Sequence, residues 1–458
     1  IQFISWSVDR YLLSPYLVDL SLSVVGSMIP SILILSYFHG RPGKDKWNRI
    51  EKIFIPANFI IASIVLFISF YPKNLGAITK KVTFEDVSGN KITKTIIQSE
   101  FRKSYVMFNF KNKSSNSYSD WMGDGIRRVL IADLSQDTYL SQRSGRARDM
   151  IQEMGFNLDE DIPLTVKQKI SKRTTTEFFI AGDYIVEDEL FTINVQLYRT
   201  NNAKLVSTHQ YKGKVFFDLI DLASKQIKID MGIPSLHIDE VTDLPVTEKY
   251  TNSLEALKYK MLANRDELTF DEKFNLLLQA VELDNGFAWA HMELYSMCRM
   301  KQDPECYAKH INLCLKHIDR FDSGMGFAAR IDELIGRGGS IEERNDILDM
   351  WVEIHPDQLM PYQLLAQFSM MDNDFNQAIL YTKKMLKIAP EKDNLILEIG
   401  KMYKDYLNDM DEALMYYHRY QKLYPKNPES YESIASIYQT KLDFENEYKY
   451  LIKAQALG

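Results

Sequence analysis

Cys306, His310, Cys314 and His317 stand at i, i+4, i+8 and i+11, one stripe of an α-helix, and all four are residue types that bind zinc. One straight helix, however, offers only two adjacent ligands to a tetrahedral ion, and the same positions match small and apolar core sites of a helical repeat. The stripe reads as core, and no metal site is expected. With Cys298 the chain has three cysteines, all in one short helical region; an odd count cannot be a closed disulfide framework and does not settle the compartment. Asp183 and Asp188 in GDYIVEDE have the types for general acid and base work, but they flank a hairpin turn, where acidic residues are usually solvated, and no nucleophile lies at recognisable spacing. In HGRPGKDKW (39–47), Gly43-Lys44 is followed by Asp45 where a phosphate loop needs Ser or Thr, so a nucleotide site is not expected. The acceptor pattern NKS at Asn112 is read as chance. No catalytic residue and no cofactor are expected.

The elements around these residues explain the lack of chemistry. At 458 residues the chain has room for two or three domains, and 45% hydrophobic with 26% charged residues is ordinary folded protein. A net charge of −7 argues against a phosphate-binding face, so no nucleic-acid partner is expected. The chain opens on Ile rather than Met, within the apolar IQFISW, and residues upstream are expected to be missing.

Leu20–Phe38 and Ile53–Tyr71 each run 19 residues without a charge, close to the length that crosses a bilayer. They predict spans at about 17–38 and 53–71 within a transmembrane region 1–72, with the possible end of an earlier span at 1–8; buried core helices are the competing reading. Pro30 and Pro56 are tolerable in lipid when neighbours re-satisfy the backbone. Between the spans lie Arg41, Lys44, Lys46, Arg49 and Lys52 against Asp45 and Glu51, so HGRPGKDKW acts as a basic topology anchor that stays in the cytoplasm. An odd number of crossings then places everything after about residue 75 outside.

KVTFEDVSGNKITK (81–94) predicts a hairpin about Ser88-Gly89-Asn90, within a linker 73–101. YVMFNF (105–110) reads as a buried strand, followed by a helix near Trp121 capped by Ser119 or Asp120, with Ile126, Val129, Leu130 and Leu134 on its apolar face. FFIAGDYIV, LFTINVQLY and KLVSTHQY then predict an antiparallel meander. In its second strand Phe191, Ile193, Val195 and Leu197 alternate with polar residues. A helix, FFDLIDLASKQIKIDMG, closes the region.

The strings DWMGDGIRRVLIADLSQDTYL and FFIAGDYIVEDELFTINVQLYRTNNAKLVSTHQYKG resemble the TolB-like N-terminal domain of bacterial envelope and membrane-anchored regulatory proteins. The likeness lies in a helix carrying D-G, then L-S-Q, then G-x-Y-x-x-x-D and a meander, from about 102 to 232. It implies an α/β binding or assembly domain, taken as 102–235, without catalytic residues, and a bacterial inner-membrane location with the later residues periplasmic.

After a linker at 236–251, the helix ends Asn285, Arg320, Pro356, Pro390 and Pro425 step by 35, 36, 34 and 35 residues. That is the tetratricopeptide period, and about six repeats fill 252–458. Ala378 and Ala413 sit where paired helices touch, Gly336, Gly338 and Gly339 make the third repeat irregular, and the last helix, ENEYKYLIKAQA, is polar enough for a cap. The expected fold is multidomain: transmembrane helices, an α/β domain with an antiparallel meander, and an all-α repeat solenoid. Such repeats hold a protein or peptide in a groove lined by first helices, for which Gln363, Gln367, Lys401 and Lys404 are the candidate contacts.

Two functions remain open. One is a non-enzymatic membrane-anchored scaffold or adaptor. The other is the sensory half of a larger signalling protein, with a DNA-binding or cyclase-like effector before Ile1. Partner, signal and oligomeric state are not legible. Reporter fusions at Gly89 and Gly458 are expected to behave as exported and one at Gly43 as cytoplasmic; cytoplasmic behaviour at Gly458 would overturn the topology.

Overall fold

A computed structural model of the chain describes residues 1–39, 47–85, 91–115, 117–143, 147–157, 160–240 and 243–457. Arg41, Lys44 and Lys46 of the basic anchor, and the hairpin turn Ser88-Gly89-Asn90, lie outside the described residues. The chain divides into two compact units, Ile1–Arg102 with Gly232–Thr242, and Lys103–Met231 with Asp243–Gly458.

In the first unit, residues 1–8 belong to a short helix, α1 (Gln2–Tyr11), and two long helices follow, α2 (Tyr16–Phe38) and α3 (Arg49–Phe70). With 23 and 22 residues, α2 and α3 are long and apolar enough to cross a bilayer, and Leu33, Ile60 and Ile68 are largely exposed. Asn58 of α3 ties them together, its side-chain amide donating to the Ser27 carbonyl at 2.8 Å and to Ser31 Oγ at 2.9 Å. Buried Glu51 accepts through Oε2 from the Asn48 backbone N–H at 2.6 Å, and its Oε1 lies 2.6 Å from His39 Nε2. An antiparallel hairpin of β1 (Thr79–Glu85) and β2 (Lys91–Ile97) follows, in a register running from Thr79 opposite Ile97 to Glu85 opposite Lys91.

The second unit begins with an α/β sheet. Its elements are β3 (Lys103–Met107), β4 (Lys111–Asn112), α4 (Met122–Leu134), β5 (Leu140–Gln142), α5 (Ala147–Glu153), α6 (Leu164–Arg173), β6 (Phe178–Glu187), β7 (Leu190–Arg199), β8 (Leu205–Gly213) and α7 (Phe216–Asp230). Strands lie in the order β5-β3-β6-β7-β8, with β4 also on β6; β3 runs parallel to β5 and β6, and β6, β7 and β8 form an antiparallel meander. Alternation along β7 buries Phe191, Ile193, Val195 and Leu197 on the face where Phe191 meets Phe216 of α7. On the other face Phe179 and Tyr198 stack at 4.8 Å, and Met150, Ile151 and Ile170 from α5 and α6 close the core. Gly182 permits the close approach of β7: a Cβ there would stand 2.2 Å from the Asn194 carbonyl oxygen and 2.3 Å from the Phe110 ring.

Two local expectations are corrected. Neither Ser119 nor Asp120 caps α4; its cap position is Trp121, with no side-chain bond. Both side chains instead receive the Asn112 amide, at 3.3 and 2.7 Å, and the Ser119 carbonyl accepts from Tyr184 Oη at 2.8 Å. Asp183 is not solvated: β4 lies beside β6, so buried Asp183 accepts from Lys113 Nζ and from Asn194 Nδ2, both at 2.6 Å. Asp188 remains in the turn, at φ 49°.

Within 236–251 the chain forms α8 (Ser235–Glu240), in the first unit, and α9 (Val246–Lys249), in the second. Six helix hairpins follow: α10 (Leu254–Ala263) with α11 (Phe270–Leu283), α12 (Ala288–Met300) with α13 (Pro304–Lys316), α14 (Ser323–Gly336) with α15 (Ile341–Ile354), α16 (Met360–Met371) with α17 (Phe375–Ile388), α18 (Asn394–Asp405) with α19 (Met410–Leu423), and α20 (Pro428–Thr440) with α21 (Phe444–Gln455). The second helix of every hairpin is capped by a Thr, Ser or Asp side chain that accepts the N–H three residues on: Thr269, Asp303, Ser340, Asp374, Asp409 and Asp443. In four hairpins the residue just before the cap is left-handed, at Gln302, Asn373, Asn408 and Leu442. The glycines of the third hairpin do the same work one residue earlier, with Gly338 at φ 71° two positions before Ser340.

The last helix is not the polar cap expected. α21 buries only Ala454, and Phe444, Tyr448, Leu451 and Ile452 are exposed, because their spacing turns them away from α20. Ala378 and Ala413 have no exposed surface. Ala413→Phe is therefore expected to cost ~1–3 kcal/mol by overpacking and to lower the melting temperature of the detergent-solubilised chain. Lys387→Ala, at an exposed position, should leave it unchanged; two negligible shifts would remove Ala413 from the hairpin contact.

Candidate functional site: the first-helix cleft of the repeats

First helices of successive hairpins lie side by side, and between them runs a cleft of about 490 Å³ lined by Met292, Glu293 and Ser296 of α12, Met325, Ala328 and Asp332 of α14, and Met360 of α16, with Asn264 and Lys273 at one end. Each of the three helices brings a methionine from its first turns, at sequence steps of 33 and 35 (292, 325, 360), so the repeat itself produces the thioether row. Methionine is unbranched and polarizable, and such rows adapt to varied apolar side chains.

The polar edge of the cleft is held rigidly. Tyr295 Oη donates to Asp332 Oδ2 at 2.8 Å, and Arg299 Nη1 reaches Asp332 Oδ1 at 3.1 Å. Burial first, and the Asp332 charge second, push the Tyr295 phenol well above its usual range, so it stays a donor. Glu293 Oε1 accepts from Lys260 Nζ at 2.5 Å; burial draws the Lys260 ammonium down, and Glu293 opposes it. The arrangement can bury apolar side chains of an extended or helical peptide against sulfur and methyl groups while fixed carboxylates orient its polar atoms.

The candidates read from sequence are placed as follows. Gln363 and Gln367 are exposed one turn apart on α16, the helix that also carries Met360. Lys401 and Lys404 are on α18, and each has an ion-pair partner: Lys401 Nζ is 3.3 Å from Glu429 of α20, and Lys404 Nζ is 3.6 Å from Asp405. The four thus fall on two helices, and the lysines are already engaged within the repeats. The methionines were missed by sequence reasoning, although their near-34 spacing was visible.

The cysteine and histidine stripe is rearranged. His310 and Cys314 are buried in the hairpin, His317 ends α13, and Cys306 is joined by a disulfide to Cys298 of α12. The correction comes from the helix pairing, which turns Cys306 across the hairpin rather than along its own helix.

A second cleft of about 770 Å³ lies beside α4, with Arg127, Arg128, Arg148 and Arg265 among its lining. Its charges are largely paired internally: Arg128 Nε is 2.7 Å from Asp124, and Arg148 Nη2 is 3.2 Å from Asp266.

No protein-family model matches the chain, and no curated protein does. Among solved structures, the chain is similar to PilW, a widely conserved type IV pilus biogenesis factor (16% identity, TM-score 0.36, covering 44% of this chain and 94% of that one). It is similar also to MamA from Desulfovibrio magneticus RS-1 (13%, 0.30, 37% and 94%). A third likeness is to yeast Tom70 (12%, 0.33, 52% of this chain), of which it spans about half, 49%. Likeness at this level transfers no function.

Tyr295→Phe leaves the Asp332 carboxylate one donor short. The expected loss is ~1–3 kcal/mol of stability, measured by chemical denaturation, with the secondary structure intact; no loss would show that the bond contributes nothing to holding the cleft edge.

Proposed function

We propose that this chain is a membrane-anchored scaffold, without catalytic activity of its own, that binds a protein or peptide partner along the first-helix face of its tetratricopeptide-type repeats. The observation that carries the reading is the methionine-lined cleft across α12, α14 and α16, an adaptable apolar surface with fixed acidic edges. In this reading α2 and α3 are the anchor, and the α/β region is a TolB-like spacer or docking domain. Residues after about 75 lie on the periplasmic side of a bacterial inner membrane. The Cys298–Cys306 disulfide supports that side, since such bonds persist in oxidising compartments. Gln363 and Gln367 fix the register of the partner, and Lys401 and Lys404 contribute through their charge.

The test is recovery of a partner from native membranes by the full chain, compared with two double variants, Met325→Glu with Met360→Glu, and Lys401→Glu with Lys404→Glu. Loss of anchor contacts at the cleft is expected to reduce recovery about tenfold or more, and charge reversal by less. If the methionine variants recover the same proteins as the wild type while remaining folded, or if the purified chain turns over a nucleotide, the reading fails.

A further inference from the structure

His291 Nε2 lies 3.0 Å from the Asn285 carbonyl oxygen, which can only accept, so that nitrogen carries the proton. Neutral His291 then has a bare Nδ1, and the 2.8 Å contact between His291 Nδ1 and His310 Nδ1 makes His310 the donor. His310 is thereby fixed as the Nδ1–H tautomer, with a lone pair on Nε2. Both rings are buried.

A ring nitrogen of His310 and the sulfurs of Cys298 and Cys306 lie within 4.8 Å of one another. Cys306 and His310 are one turn apart on α13, and Cys298 comes from α12, its Cα 5.6 Å from that of Cys306. Two helices therefore supply what a single-helix stripe lacks, a third ligand from a different direction. Cys306 is only half-buried, which gives the site an entry path.

We propose that Cys298, Cys306 and His310 form a site for a thiophilic divalent metal of the zinc class, open only when the Cys298–Cys306 disulfide is reduced. A dithiol reductant delivers two electrons and two protons, breaking the S–S bond to give two thiols and itself becoming a disulfide. Metal binding then releases the two thiol protons to solvent, and two thiolates with His310 Nε2 take three tetrahedral positions, water the fourth. His291 is a positioning residue: by accepting from His310 Nδ1 it orients the ring and keeps the ligating nitrogen unprotonated. The disulfide and the metal exclude each other, so the redox state of one hairpin decides which it holds.

The test uses the full chain in detergent, reduced with a phosphine that is then removed without air, and titrated with Co²⁺ alone. The reduced chain is expected to show sulfur-to-cobalt charge-transfer and tetrahedral d–d bands, saturating at one ion per chain and lost on adding Zn²⁺; the oxidised chain should show none. Cys306→Ser and His310→Gln should each abolish the bands, Cys314→Ser should keep them, and His291→Phe should weaken binding about ten- to a hundredfold. Circular dichroism checks folding, and should Cys306→Ser fail to fold, the His310→Gln titration decides. No bands in the reduced wild type, or bands retained in a folded Cys306→Ser or His310→Gln chain, would overturn the proposal.

Discussion

Lys260 has no exposed surface and yet carries an ammonium group. A charge so placed costs several kcal/mol unless it is paired, and its carboxylate, Glu293, comes from the next hairpin at 2.5 Å. The first two hairpins can therefore be stacked in one register only. The α/β region meets the repeats where α4 packs on α10, and within α4 Asp124 holds Arg127 and Arg128 of the same helix. Burial alone would raise the Asp124 carboxyl, but the two guanidiniums outweigh it and hold it well below the usual carboxylate range. Lys249, also buried, donates to the carbonyls of Asp319 at 2.6 Å and Phe321 at 2.5 Å, which straps α9 to the end of the second hairpin. Lys260 and Lys249 are thus each satisfied by a segment distant in sequence, whereas the Asp124 pairs lie within one helix.

Much of this architecture could be read from residue order because its signals are periodic. Uncharged runs of 19 residues mark α2 and α3, two-residue alternation marks β7, and a step near 34 marks the hairpins. What could not be read depends on contacts between elements. Asp183 looked solvated beside its turn, and only the pairing of β4 with β6 shows that Lys113 and Asn194 reach it. Cys306, His310, Cys314 and His317 read as a core stripe of one helix, which does not reveal that Cys306 is joined to Cys298 across the hairpin. The groove contacts show the same division: period arithmetic locates the first helices, but the ion pairs that occupy Lys401 and Lys404 appear only with α20 and the end of α18 in place.

The caps explain why hairpins as different as the second and the third have the same shape. A left-handed residue reverses the chain, and a Thr, Ser or Asp then satisfies an N–H that the new helix would otherwise leave open. Where the reversal is a residue longer, before Ser340, glycine supplies the conformation. Local chemistry of this kind sets the angle of each hairpin, and the buried methyls of Ala378 and Ala413 set its closeness. The methionine cleft follows from both: equal hairpins bring equal positions of their first helices into line.

The support given to the first hairpin has a consequence for motion. In a linear stack each hairpin is supported by its neighbours, and Tyr448, Leu451 and Ile452 of the sixth are exposed. The first hairpin, by contrast, is held by α4 and by the Lys260 pair. Opening there has to break a buried ion pair and the α4 contact together, so amide exchange is expected to be slow near α10 and α12. The α/β region acts on the repeats as a clamp.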